Sequence, residues 1–446
     1  MLFHFPKLTI SYMTPRQRDA LWYTLTFAIV AAVCAFIWLR ALRQAPARHI
    51  PSAYYVWQMQ WNDDVHDAVK KADFSANAFM VLVGEVKTAG GELQVQRGYP
   101  DWKALVKVDA PITIVLRGNA ALSDMLQGDS QNTAISFVAK TLEDRIAEAA
   151  EAGATIRGVQ LDYDCPTAKL ATYKTMIDAL QPRFDAFAWS ITALPTWLKS
   201  SEFTALVRDL DYYVLQVHSL ERPSSYGQSI TLCETARIPG YLDRAASIGA
   251  PFYLALPTYG YRFVFDEAGK FVAISAEGTA PPPMPGQHIR TVMSDATDIA
   301  KAVRETRSHP PHNLIGFVWF RLPVANDELN WTWQTLQAVR EGRAPEVSFR
   351  AEVKNPSPDL YEIYISNSSE ALETRNVQIT LRYDAREVIA SDTHNGFSFL
   401  PSNPPGLTGP APRPGESVLA AWFRFKPGAA TSAPPITIGS VTIAPN

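Results

Sequence analysis

The chain has 446 residues, about three times the usual single-domain length, so two or three units with large cores are expected. Hydrophobic residues make up 47% and charged residues 19%, which excludes a disordered chain. The 41 basic and 44 acidic side chains nearly cancel to −3, so nothing marks a nucleic-acid binder, and three cysteines are too few for a disulfide framework or a four-cysteine zinc site.

After an N-terminal tail of residues 1–20 comes an uncharged apolar run at 21–39, LWYTLTFAIVAAVCAFIWL. As a helix it would reach roughly 28 Å, the depth of one bilayer core. Trp22, Tyr23 and Trp38 lie at its ends, where amphipathic rings favour the interface, and Asp19 and Arg40 bound it. Residues 21–40 are therefore expected to be a transmembrane anchor or uncleaved signal, with a buried core helix as the alternative. Lys7, Arg16 and Arg18 before the run and Arg40, Arg43 and Arg48 after it leave the orientation unset. Arg40 follows Ala31 and Ala32 too closely to favour cleavage there. Val33 is bulky for a lipoprotein processing site, so Cys34 reads as a plain apolar residue. Residues 41–51, ALRQAPARHIP, form a linker.

From 52 to 343 short apolar strands alternate with helical stretches, the pattern of parallel strands joined by crossover helices. Eight strands are expected, at 54–60, 79–85, 112–117, 158–164, 186–192, 213–218, 252–259 and 315–321. Ile135, Val138, Leu142 and Ile146 recur at helical spacing after the cap candidates Asp129 and Ser130. Leu170, Tyr173, Ile177 and Leu180 do the same before Pro182, Ile299 and Val303 mark another helix, and 331–341 the last. The strands turn polar at their carboxyl ends, the face on which a (β/α)8 barrel assembles its site. An open doubly wound sheet is the alternative, but no GxGxxG turn accompanies it. Beyond 344 the period changes: Val347, Phe349, Ala351 and Val353 alternate with polar residues, as do Val377, Ile379 and Leu381, and Trp422, Phe423 and Phe425 add a bulky strand. The expected fold class is thus α/β, a (β/α)8 TIM barrel with an N-terminal transmembrane helix and a C-terminal β-sandwich at 344–446 that packs on the barrel or binds glycan.

The fourth expected strand reads GVQLDYDCP. Side chains alternate along a strand, so Gln160, Asp162 and Asp164 point one way. If that way is the barrel mouth, two like charges share one face and one pKa rises, which keeps a general acid protonated near neutral pH. The competing reading is a hydrogen-bonded Asp162 and a helix-capping Asp164. Other strand ends supply Gln58, Gln60, Trp61, Glu85, Arg117, Gln216, His218, Tyr259, Tyr261, Trp319 and Arg321. Carbohydrate sites need this mixture, aromatic faces for sugar C–H surfaces and fixed amides, carboxylates and guanidinium groups for hydroxyls. Glu85 is the candidate partner carboxylate, since an opposing pair roughly 5–10 Å apart suits two-carboxylate glycoside cleavage. Asp162, Asp164, His218 and Glu85 have ligand types acceptable to a metal, but no close-spaced His/Asp motif supports a site, so neither metal nor cofactor is expected. Cys165 and Cys233 fall in loops on one face, where independent buried thiols are favoured over a bridge, and no Cys/His/Asn spacing supports a nucleophilic Cys165.

GVQLDYDCP with its following helix, VWQMQW near the start, LQVHSL and GFVWFRLP together resemble the bacterial family known as domain of unknown function 3142, over about residues 52–345. That family is uncharacterised, and LDYDCP is its most specific element here. The same strand is similar to the DGxDxDxE motif of glycoside hydrolase family 18, the chitinase-like barrels. In register, Gly158 takes the motif glycine, Gln160 and Asp162 the second and third aspartates, and Asp164 the proton-donating glutamate, while Arg157 replaces the first aspartate. The resemblance implies a proton-donor role for Asp164, one methylene shorter than glutamate, and substrate-assisted attack by an acetamido group. It also implies that Trp319 is the strand-eight tryptophan that floors the sugar pocket. The reading is a membrane-anchored glycoside hydrolase-like protein, its soluble part periplasmic or extracellular, acting on an envelope or extracellular polysaccharide. A catalytically silent glycan-binding or scaffold protein competes with it, and a metal-dependent hydrolase is a third class.

Overall fold

All eight apolar segments form strands. The computed structural model describes residues 14, 22, 24, 26, 30 and 49–444, apart from 219–221, 277–283, 374 and 429–433. In chain order the strands of the first part are β1 (Ser52–Val56), β2 (Ala76–Ala89), β3 (Glu92–Arg97), β4 (Ile112–Gly118), β5 (Ile156–Tyr163), β6 (Ala188–Ala193), β7 (Tyr212–Gln216), β8 (Phe252–Pro257), β9 (Gly260–Phe265), β10 (Phe271–Ser275), β11 (His288–Met293) and β12 (Leu314–Phe320). Parallel pairing runs β1, β2, β4, β5, β6, β7, β8, β12, and β12 pairs back with β1, which closes an eight-stranded barrel.

Helices Asp63–Asp73, Gln131–Glu151, Leu170–Leu180, Ser201–Val207, Ile238–Ile248, Ala296–Ser308 and Trp333–Arg340 follow strands of the barrel. Asn62, Asp295 and Thr332 cap three of them, each side chain accepting at least one backbone N–H from the first turn. Ser130 caps nothing, because its hydroxyl donates back to the carbonyls of Met125 and Gln127, 2.8 Å each, within the turn that leads into the helix.

Alternation along the strands separates two layers of packing. Outward residues such as Phe79, Ile114, Ile191, Leu254 and Phe317 pack under the helices. Inward residues such as Tyr55, Met80, Leu82, Val115, Val214 and Val318 fill the barrel. Trp319 belongs to the outer layer: it is fully buried, its indole N–H donates to Ser52 Oγ at 3.1 Å and its ring lies 6.2 Å from Phe317. It therefore does not floor a sugar pocket. Val318 and Phe320, its neighbours on either side, are the residues of β12 that face inward.

Two features lie outside the eight-strand reading. The β3 strand pairs antiparallel with the far half of β2, and β9, β10 and β11 form a separate three-stranded antiparallel sheet between β8 and the next helix. In the C-terminal part β13 (Phe349–Ser357), β14 (Leu360–Asn367), β19 (Ser417–Phe425) and β16 (Val388–Thr393) make one antiparallel sheet; β17 (Ser398–Leu400), β18 (Gly406–Pro410), β15 (Asn376–Tyr383) and β20 (Ile436–Ile443) make the other. Ile363, Ile365, Phe423 and Phe425 of the first sheet share a core with Val377, Ile379, Leu381 and Leu407 of the second, so the two sheets sandwich it. Barrel and sheets lie in one compact unit, Ile50–Asn446. Across their junction Arg343 forks onto Glu370, and Glu328 accepts from Arg262 of β9 at 2.9 Å and from Arg413 at 2.8 Å.

The apolar run at 21–39 lies outside the described residues except for Trp22, Thr24, Thr26 and Val30, which are helical. Among the described residues no helix is long and apolar enough to cross a membrane.

The position of Trp319 has a direct test. Trp319→Ala should cost about 3–5 kcal/mol of unfolding free energy, read from the urea midpoint; a loss under about 1 kcal/mol would place the ring outside the packed layer.

Candidate active site

The carboxyl ends of the barrel strands surround a cavity of about 950 Å³. Its aromatic part is a cluster of contacting rings. Phe320 lies 4.8 Å from Trp57, 5.2 Å from His218 in a stacked arrangement and 5.4 Å from Tyr259. Opposite chemistry comes from Glu85, Arg117, Asp162, Asp164, Gln216 and Arg321, which line the same cavity.

Asp162 is the inward residue near the end of β5, 5% exposed. Its Oδ1 accepts from Thr192 Oγ1 at 2.7 Å and from Gln216 Nε2 at 3.1 Å, while Oδ2 faces Arg117 Nε at 3.7 Å. Three neighbouring strands thus converge on one carboxylate. Burial raises its pKa, Arg117 and the two hydrogen bonds pull it back, and Glu85 adds a smaller upward push.

Asp164, two residues on, opens to solvent through the mouth but sits among protein walls. Those walls, helped by the charge of Asp162 and opposed by Arg117, raise its pKa to about 6. An acid with that value is still substantially protonated in mildly acidic solution and can deliver a proton. Asp164 is not a helix cap: the turn after it is led by Pro166, and no side-chain cap bond forms there.

Glu85 reaches the mouth through a β-bulge. The β2–β4 register slips between Leu82 and Gly84, so the face that carries Met80 and Leu82 inward continues with Glu85 and Lys87. Gly84 is required where β3 closes over the bulge, since a Cβ there would lie 2.7 Å from Val95 Cγ2. Glu85 stands beside Arg117 in register and 3.8 Å from Lys87 Nζ.

His218 is 8% exposed, with Nδ1 3.3 Å from the Tyr259 hydroxyl. Burial pushes its pKa down to about 4, so the imidazole is neutral and can serve as a hydrogen-bonding group, not as a cation. Its Nε2 has no partner among the described residues. Arg321 is held by Asp327 Oδ2 at 2.6 Å and donates to the Ala276 carbonyl at 3.0 Å.

Nine expected residues therefore come together here: Asp162, Asp164, Glu85, Arg117, Gln216, His218, Tyr259, Tyr261 and Arg321. Five do not. Trp57 and Met59 face the cavity, so Gln58 and Gln60 turn away; Gln60 is exposed and pairs with Tyr99, and Trp61 packs near His66 at 6.0 Å. The β1 strand enters its loop with the opposite parity from that expected, and a one-residue offset exchanges faces. Gln160 points inward but lies below the cavity, accepting from the Tyr55 hydroxyl at 2.5 Å and donating to Ser190 Oγ at 3.0 Å. Trp319 belongs to the outer layer, as described. Sequence reading missed Trp57, Phe320, Thr192, Lys87, Gln96 and Arg222; parity from Val318 would have found Phe320, and parity from Asp162 across β5 and β6 would have found Thr192.

Cys165 and Cys233 are free thiols, both raised to about 12 chiefly by burial, so neither is a thiolate nucleophile. Among the described residues no three His, Cys, Asp or Glu side chains converge as metal ligands.

Residues 111–325 match the family model described as Domain of unknown function (DUF3142), a narrower span than the 52–345 of the resemblance and one that includes LDYDCP. No curated protein matches the sequence. Similar solved structures include the spore cortex-lytic enzyme SleL of Bacillus megaterium QM B1551, at 13% identity and TM-score 0.47 over 67% of this chain and 75% of that one. A chitinase from Chromobacterium violaceum ATCC 12472 aligns at 13% identity and TM-score 0.46 over 66% of this chain and 98% of that one. The glycoside hydrolase family 18 chitinase ChiB of Flavobacterium johnsoniae aligns at 14% identity and TM-score 0.41 over 62% and 88%.

The raised Asp164 acid favours the folded state in its protonated form, so its contribution is complete below the ordinary carboxylate pKa and fades as pH rises through about 6. Carbon-13 NMR should show one carboxyl group titrating near 6 that disappears in Asp164→Asn; a carboxyl titrating at the ordinary Asp value would refute the shift.

Proposed function

We propose that the chain is a glycoside hydrolase acting on a polysaccharide or oligosaccharide, with Asp164 as general acid and Glu85 as partner carboxylate. The observation that carries this reading is Asp164 itself, an acid with a pKa near 6 held beside a buried Asp162 at the carboxyl end of a barrel strand, in a cavity walled by aromatic rings. Asp164 donates its proton to the glycosidic oxygen as the C–O bond breaks. Water adds to the anomeric carbon and gives its proton to Glu85, so the charge that leaves one carboxyl group returns on the other. Arg117, Thr192 and Gln216 favour the ionised form of Asp162 against its burial, and negative charge there helps to keep the proton on Asp164. Trp57, Phe320 and Tyr259 offer flat apolar surface for a sugar ring, and Gln216, His218 and Arg321 offer hydrogen bonds.

The uncharged run at 21–39 supports a membrane anchor, which would hold the barrel at the outer side of the cytoplasmic membrane or at the cell exterior. Resistance of the protein to extraction by alkaline carbonate, together with protease access from outside intact spheroplasts, is the expected result; release by carbonate would discard the anchor.

For the chemistry, the purified protein should release reducing ends from at least one member of a polysaccharide panel. Asp164→Asn should lose about 10²–10⁴-fold in turnover while keeping ligand affinity within a few-fold, and activity should fall as pH rises through about 6. Binding without any turnover by the unsubstituted protein would replace the hydrolase with a silent glycan-binding protein.

A further inference from the structure

The charge inventory of the cavity goes beyond what a neutral glycan requires. Four cations line it, Lys87, Arg117, Arg222 and Arg321. Arg321 is matched by Asp327 at 2.6 Å and Lys87 by Glu85 at 3.8 Å. Arg117 approaches Asp162 only through Nε, at 3.7 Å, with its guanidinium 5.9 Å from the Trp57 ring centroid. Its terminal nitrogens make no hydrogen bond among the described residues, and its side chain is 42% exposed. Arg222, on the loop after β7, is exposed and makes no ion pair among the described residues. Among the described residues, the carboxylates within ion-pair reach of these cations are those of Glu85, Asp162 and Asp327. The terminal nitrogens of Arg117 and the guanidinium of Arg222 are thus open, among the described residues, to an anionic group of a ligand.

We propose that the substrate is an acidic saccharide, one carrying a carboxylate on or beside the sugar ring, and that Arg117 and Arg222 read this carboxylate. A guanidinium fork matches a carboxylate in geometry as well as in charge. Lys87, two residues beyond the Glu85 that neighbours Arg117 in register, adds a further positive group on the Arg117 side of the cavity. A hydroxyl-only sugar would leave these cations with water alone, whereas a carboxylate in the chamber would be partly shielded from solvent, where such a pair is stronger than on an open surface. This specificity rests on the hydrolase reading for its substrate class, but not for its charge argument.

Binding should be measured by titration calorimetry with the full chain. The probes are oligogalacturonate and hyaluronan hexasaccharides, each beside its carboxyl-reduced neutral counterpart. At least one uronate should bind tenfold or more tightly than its reduced form, and Arg222→Gln should weaken that binding by about tenfold with little effect on the neutral sugar. Arg222 is exposed, so this variant should keep the unfolding midpoint of the unsubstituted protein, and Arg222→Lys should recover part of the affinity. Failure of both uronates to outbind their reduced forms, or binding indifferent to Arg222, would overturn the specificity. Reducing-end release separates the two readings. Asp164-dependent cleavage of a neutral glycan with no uronate preference sinks the specificity alone, and Arg222-dependent uronate binding without cleavage of any glycan sinks the hydrolase alone.

Discussion

A carboxylate can remain inside a barrel only if its lost hydration is replaced, and the site depends on how this is done for Asp162. The replacement is one hydroxyl, one amide and one guanidinium, supplied by β6, β7 and β4. Because these partners sit on the neighbouring strands, barrel closure and carboxylate solvation are one requirement. A barrel strand shifted by one residue would take Thr192 or Gln216 to the outer layer and leave Asp162 with an uncompensated charge. The same fixed charge then acts outward on Asp164, so a structural commitment in the barrel sets the protonation of the group at its rim.

Beneath this polar layer the barrel holds a second one. Gln160 joins Tyr55 to Ser190, again across strands, and Met80 and Val214 fill the space around it. Gln160 and Asp162 are successive inward residues of one strand, yet they do different work. The lower one is sealed and spends its hydrogen bonds on the barrel itself; the upper one keeps an edge toward the cavity. Above them Phe320 touches Trp57, His218 and Tyr259, so the neutral imidazole and the rings form a continuous apolar surface next to the charged wall.

Where local pattern and tertiary environment agree, the sequence was readable. Eight apolar runs interleaved with helices gave the barrel, and the alternation in GVQLDYDCP placed Asp162 and Asp164 on the inner side. Reading failed where one residue of offset decides the face. In β1 Ala53 and Tyr55 face inward and Trp57 and Met59 continue that parity, so Gln58 and Gln60 fall on the other side. In β12 the more conspicuous Trp319 took the outer layer and Phe320 the inner one. Glu85 reached its expected place only through a bulge that no local pattern announces, since a register slip belongs to the pair of strands and not to either alone. In the β9–β11 sheet only β9 alternates, burying Phe263 and Phe265, while β10 and β11 bury no residue on either face and so carry no pattern that marks them.

Asp327 and Glu328 are consecutive in the chain and serve different parts of the molecule. Asp327 grips Arg321 in the mouth, while Glu328 grips Arg413 in the C-terminal sheets and Arg262 on the inserted sheet. One peptide unit thus works as a yoke between the sandwich and the chamber wall. The sandwich, none of whose described residues lines the cavity, thereby braces the segment that holds the cavity-lining guanidinium of Arg321.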